Sequence, residues 1–469
     1  MRPERTPKSP GLAVGGAVAL AAAGLALALL VGRAAAHVGG LSSSGGGTVP
    51  TWLTILTGGV VVGASFLFTS LMTDHEAIRS VNGRRAMLPA PVAIRSAAAW
   101  TVRGLGVAVL LLVVVTGFVG PTAGDQNFAL LVVWAGWWAG YTMTVYLVGN
   151  SWPLVNPWRT LASLLPQVGE RAYPDRWGAW PSVAGLLGLV YLEVVSPVGS
   201  NPRVLAAVVV GYTLVTLAGA AVYGVDTWFG QVDPVARVFR WYGRMAPVQR
   251  TDDGLAFRLP GAAITEQTDA EPPDEVGFVV ALVWVTSFDG LVSTPLWATA
   301  TRPVVDLGVP PLLLYLAAIV GGYLLFLFAW REAARRAREY ADTYVTSGFV
   351  EGWFVASLLP IAAGYHLAHF LGFFVSLSPF LVRVVQQPFA TPVWIQPIEL
   401  PGWFATLQVL FVLVGHLLAV WVAHALAFEL FPGKLKPIRS QYTFVVVMIA
   451  YTMTSVWIVT QPFGPPPYV

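Results

Sequence analysis

The chain has 469 residues, of which 56% are hydrophobic and only 11% charged, with a formal net charge of +3. Soluble domains carry about 25% charged residues, so a soluble enzyme is excluded, and no basic stripe with interleaved aromatics marks a nucleic-acid partner. Cysteine is absent, which removes disulfides, thiolate metal sites, iron–sulfur clusters and Cys nucleophiles.

Hydrophobic stretches of about 20 residues, the length that crosses a bilayer as a helix, recur along the chain. They fall at 11–32, 50–73, 97–119, 127–149, 179–199, 204–225, 276–297, 309–330, 347–376, 403–429 and 441–461. The class is an all-α polytopic transmembrane helix bundle of about 11 spans. A β-barrel would need strands of about 10 residues with alternating polarity. Arginine and lysine set the orientation by their bias to the cytoplasmic side. With the N-terminus inside, the inside segments hold 22 of the 27 basic residues, in clusters such as Arg79, Arg84, Arg85 and Arg331, Arg335, Arg336, Arg338. The C-terminus is then outside, and the cell membrane is the expected location.

The first segment, within 1–36, has a basic start, an apolar run and Ala34-Ala35-Ala36 before His37. That resembles a cleaved signal, but the run is longer than a signal core of roughly 7–15 residues, which favours a retained first helix. If it is cleaved, the bundle has ten spans, and the His37 amine and imidazole could chelate copper together. Residues 37–469 form one transmembrane bundle.

Three loops stand out. The stretch 149–161, GNSWPLVNPWRTL, reads as an interfacial anchor, with Trp152 and Trp158 at headgroup level. The inside loop 226–275 contains TEQTDAEPPDE and reads as a solvated linker. The outside loop 377–402 is apolar but interrupted by prolines, so it is expected to fold back over the outer mouth as a lid rather than span.

Ionisable groups inside spans cost about 2.5–3.5 kcal/mol on insertion scales, face the bundle interior and pair with one another. Here they are Glu193, Asp289, His366, His369, His416 and His424. At 1.5 Å rise per residue from the inner edge, Glu193 and Asp289 lie at ~20 Å, His416 at ~21 Å, His366 at ~25 Å and His369 at ~30 Å. His424, at ~9 Å, is near the inner edge. His366 and His369 share a helix face, and His416 on the next, antiparallel span reaches a similar height. Three imidazoles with a carboxylate suit zinc, iron or copper. A metal-free proton or substrate relay and plain interhelical hydrogen bonding are the other readings. A single haem between His366 and His416 is a further alternative, whereas spacings of three and eight residues do not suit two.

The blocks AHVGG, GNSWPLVNPWRTLA, GLVYLEVVSP, SFDGLVSTPLW, AGYHLAHF and GHLLAVWVAHALA run from residue 36 to about 427. In them the chain resembles the fenitrothion hydrolase-like polytopic membrane proteins. The resemblance implies hydrolysis of an organophosphate ester and places all six intramembrane ionisable residues in the family's blocks, His424 included, without saying which is catalytic.

Two functional classes follow, with a third behind them. In the first, His366, His369 and His416, with His424 by the resemblance, hold a metal. Glu193 or Asp289 then acts as a further ligand or as general base on bound water, whose pKa a metal lowers toward ~7, and a lipophilic (phospho)ester is hydrolysed. In the second, the same groups bind a proton, metal ion or small solute in a transporter, helped by helix breaks at Gly290, Pro295 and Pro360. The third is a subunit of a membrane metalloenzyme. The expected partners are the bilayer and a lipophilic small molecule or ion. No phosphate-binding loop or GxSxG nucleophile elbow occurs.

Overall fold

The computed structural model describes residues 51–88, 96–166, 171–462 and 464–469. The signal-like first segment and His37 lie outside these residues. Among the described residues, nine helices are long and apolar enough to cross a membrane, and a tenth apolar helix is shorter. In chain order they are α1 (Thr51–Thr69), α2 (Ser96–Val119), α3 (Phe128–Leu147), α4 (Trp180–Val195), α5 (Pro202–Tyr223), α6 (Pro273–Val292), α7 (Pro311–Ala341), α8 (Leu359–Gln386), α9 (Phe404–Leu430) and α10 (Leu435–Val459). α4, the short one, has 16 residues, or ~24 Å. These ten helices correspond one to one with the ten described hydrophobic stretches. The chain is an all-α polytopic membrane protein.

The loops sort by end. Those in the basic set meet one another: Arg79 pairs with Glu429, strand residue Arg85 pairs with Arg258, and Lys436 donates to the Asp342 carbonyl. The remaining loops meet at the opposite end. There Gln126 exchanges hydrogen bonds with Val393, Ser376 bonds Ile398, and Tyr315 donates to the Pro467 carbonyl.

α6 is the axis of the bundle, buried along nearly its whole length. The helices that enclose it include α4, α7 and α8. α8 and α9 approach most closely at Gly364 and Gly415. A Cβ on Gly364 would meet the Gly415 backbone 2.9 Å away and the Phe411 carbonyl 2.7 Å away. The missing side chains are what lets the two backbones touch.

Three loop expectations are corrected. First, 226–275 is an ordered cap rather than a solvated linker. It contains the amphipathic helix Pro234–Gly243 and the strands β2 (Val248–Thr251) and β3 (Gly254–Arg258), which join β1 (Arg85–Met87) in an antiparallel sheet of order β1-β3-β2. Its acidic stretch neutralises arginines. Glu266 pairs with Arg258, Glu271 with Arg244 at 2.5 Å, and Glu275 with Arg237 and Arg240. Burial pulls the Arg237 guanidinium down from its ordinary value, and Glu275 pushes it back up.

Second, 149–161 turns inward instead of anchoring at the interface. Asn150 and Asn156 cap the short helices Trp152–Val155 and Pro157–Leu164, and Trp152 and Trp158 are buried. Third, α8 continues through Pro379 to Gln386, beyond the expected end at 376. Only 387–403 is irregular, and Phe389, Trp394 and Trp403 stand exposed on it.

Candidate functional site

Near the non-basic end, two helices bring ionisable side chains together. Asp289 lies one turn from the end of α6, and its Oδ2 is 3.3 Å from His369 Nε2 on α8. Glu193, near the end of α4, is on a helix that packs on α6 and lines the cavity between α3, α4 and α5. Asp289 and His369 keep 26% and 21% of their side chains accessible, so the site can be reached. Tyr365, one turn before His369, stacks on its ring with centroids 6.0 Å apart. The buried Tyr365 hydroxyl lies against Gly290 without a hydrogen-bond partner, within the field of Asp289.

The other histidines are engaged elsewhere. His366 is fully buried between α8 and α3. Its Nε2 faces the Trp138 carbonyl at 3.2 Å and its Nδ1 the Tyr146 hydroxyl at 3.0 Å. A carbonyl only accepts, so Nε2 carries the proton and Nδ1 accepts from Tyr146. His416 Nδ1 donates to Val412 O on its own helix at 2.8 Å, and its buried Nε2 has no partner. His424 bonds the Met72 carbonyl at 2.9 Å and Gln441 at 3.3 Å, near the basic end.

The set expected to hold a metal is therefore not assembled. Among the described residues, no three His, Asp or Glu side chains are grouped so as to hold a metal ion. The reason is helical phase. Residues three apart on a helix differ by about 60° in direction at 3.6 residues per turn. At a junction of several helices that angle sends His366 to α3 and His369 to α6. A haem between His366 and His416 does not fit either, because both nitrogens of His366 are used and α8 and α9 touch at Gly364 and Gly415. Asp289 and His369 are the predicted residues that come together, with Glu193 on the adjoining helix α4. Tyr365 is the group that reading for ionisable residues overlooks.

Comparison of the chain with protein-family models, with curated proteins and with solved structures finds no match. The resemblance to fenitrothion hydrolase-like proteins thus rests on its motifs alone, and the site is read from its own geometry.

A carboxylate facing an imidazole, with a second carboxylate on the neighbouring helix α4, is chemically able to handle a proton. His369 can take or return the proton at Asp289 Oδ2, and the Tyr365 hydroxyl can donate to whatever is bound beside it.

Proposed function

We propose that the protein is a cell-membrane transporter for a small solute, coupled to protonation of Glu193, Asp289 and His369. The observation that carries this reading is the placement of Asp289 on the central helix α6, 3.3 Å from His369 on α8, with α4, which carries Glu193, packed on the same helix. A small rotation or shift of either outer helix changes these separations. Protonation and helix position are thereby linked, which is what coupling requires. The hydrolase reading asks three imidazoles to share one ion, and two of them, His366 and His416, are bonded elsewhere.

The test uses the full chain in vesicles loaded with a pH-reporting dye, under an imposed proton gradient and with a panel of small solutes outside. Solute-dependent proton flux is expected in wild type, with loss in Asp289→Asn and at least a tenfold reduction in His369→Gln. The reading fails if folded Asp289→Asn carries flux equal to wild type. It also fails if the vesicles carry no flux but hydrolyse a lipophilic ester in a metal-dependent manner.

A further inference from the structure

From Glu193 toward the cap, a half-open cavity of ≈ 150 Å³ lies between α3, α4, α5 and the cap helix Pro234–Gly243. Its walls are almost wholly carbon. Trp134, Trp137 and Trp138 from α3, with Trp158 and Phe239, form an aromatic surround, and Glu193 is the one carboxylate among the lining residues.

The three tryptophans share one wall by their i, i+3, i+4 spacing, on a stretch of unusual backbone. Residues Leu131–Tyr141 of α3 form a π-helix, a geometry that is rare, usually confined to a single turn and frequent at functional sites. With more than four residues per turn, it widens the helix and carries large rings on a surface where an α-helix would close against its neighbours. The same stretch is tied to the ionisable site. The Trp138 carbonyl accepts from His366 Nε2, and His366 precedes His369 by one turn.

We propose that this cavity is a binding site for an uncharged, apolar molecule of single-ring size. Size sets the upper bound, since an apolar cavity of about 150 Å³ takes a molecule like benzene and stays dry. The carbon walls set the charge, because an anion there would be left unpaired and a cation would have a partner only at the Glu193 end. The inference deepens the transport reading and rests on it in one respect. The molecule so bound is the transported solute, and its occupancy is felt by Glu193, which belongs both to the cavity wall and to the proton-handling set.

The test is labelling of the full chain in vesicles with a phenyl-diazirine photolabel, mapped by mass spectrometry, with toluene as competitor. Label on 133–138 and 186–193 is expected to fall at least fivefold in excess toluene. Label on lipid-facing positions such as Leu67 and Leu214, which are 65% and 64% exposed, is expected to stay constant. Val209→Trp and Leu192→Trp, which fill the cavity from half-buried positions on two different helices, are expected to abolish the displaceable label while the thermal midpoint stays near wild type.

Labelling of the cavity that toluene does not displace, accompanied by a lipid retained in native mass spectra, overturns the proposal in favour of a structural acyl chain. Absence of cavity labelling in folded wild type overturns it as well. The two readings separate in the flux assay. Displaceable labelling with normal flux in the filled variants keeps the binding site and removes its link to transport. Flux lost in Asp289→Asn without displaceable labelling keeps transport and removes this site.

Discussion

The cap over the basic end depends on a buried charge, and the two partners of that charge are not equivalent. The Arg237 side chain has no solvent exposure and makes its ion pair with Glu275, which is 12% exposed. Glu275 also binds Arg240 at 2.5 Å and accepts from the Trp241 indole at 3.1 Å. In Glu275→Gln the guanidinium of Arg237 loses its counter-charge. It keeps the Gly230 carbonyl at 2.6 Å, the Gln231 carbonyl at 3.1 Å and the face of Phe278 at 5.6 Å. Leaving one partner of a buried pair uncompensated costs about 3–5 kcal/mol. In Arg237→Met the carboxylate retains Arg240 and Trp241, so the loss is that of hydrogen bonds from a charged donor, about 1.5–3 kcal/mol. Glu275→Gln is therefore the more damaging change. The double variant is expected to resemble Arg237→Met, because with the buried cation gone the carboxylate is needed only by the half-exposed Arg240. Unfolding of the four proteins by SDS titration in mixed micelles gives the cycle. Additive single effects, or a larger loss in Arg237→Met than in Glu275→Gln, would refute this account of the cap.

Other changes follow from single contacts. Asp233 caps the helix Pro234–Gly243 and accepts from Tyr212 at 2.7 Å. Burial pushes its carboxyl up to about 6 from the ordinary 3.8, against the opposing pull of hydrogen bonds led by the Ala236 amide. The fold thus holds a proton that the unfolded chain gives up sooner. The stabilising contribution is full below about pH 4 and is lost as pH rises through about 6, a change of ~3 kcal/mol at 1.36 kcal/mol per unit. Asp233→Asn keeps a capping oxygen, and its denaturation midpoint is expected to lack this decline when compared with wild type from pH 4 to 7. Tyr146→Phe strands the buried His366 Nδ1 and should cost about 1–3 kcal/mol in the SDS titration while proton flux persists. Gly415→Ala drives a methyl into the Pro360 carbonyl at the α8–α9 contact. A loss of about 1–3 kcal/mol is expected from overpacking, and an unchanged midpoint would show that the two helices can part.

Much of the architecture was legible because the forces that set it are local in sequence. Each span announces itself by apolar length. The Arg and Lys clusters divide the loops into two sets, and the structure gathers each set at its own end. The loops were harder because their polarity is ambiguous. TEQTDAEPPDE is polar enough to be solvated, yet Glu266, Glu271 and Glu275 each have an arginine waiting on the cap, and pairings at such unequal separations, 8, 27 and 35 residues, leave no periodic trace. Trp152 and Trp158 carry the composition of an interface anchor, but the asparagine caps turn their helices inward. The tolerance of α8 for Pro379 was also hidden, since composition does not reveal that a long helix can carry a proline near its end.

The site shows where counting along helices stops being informative. Depth from rise per residue placed Glu193, Asp289, His366, His369 and His416 in the middle-to-outer part of the membrane, and height is a property of one helix at a time. Which groups meet depends on rotation and on which neighbours stand around each helix, and those are set by contacts the sequence does not state. For His366 the deciding contact is the π-helical stretch of α3, whose Trp138 carbonyl captures an imidazole that height alone would pair with His416. For Asp289 it is Gly290. With no side chain there, the Tyr365 hydroxyl sits against the α6 backbone and the His369 ring stacks beside Tyr365, within reach of the carboxylate. A methyl at 290 would collide with that hydroxyl and with Ile458, displacing Tyr365 and the ring stacked on it. Gly290→Ala should thus reduce solute-dependent proton flux at least tenfold although neither Asp289 nor His369 is changed. Flux that survives this substitution in folded protein would mean that the Asp289–His369 contact is not what the proton crosses.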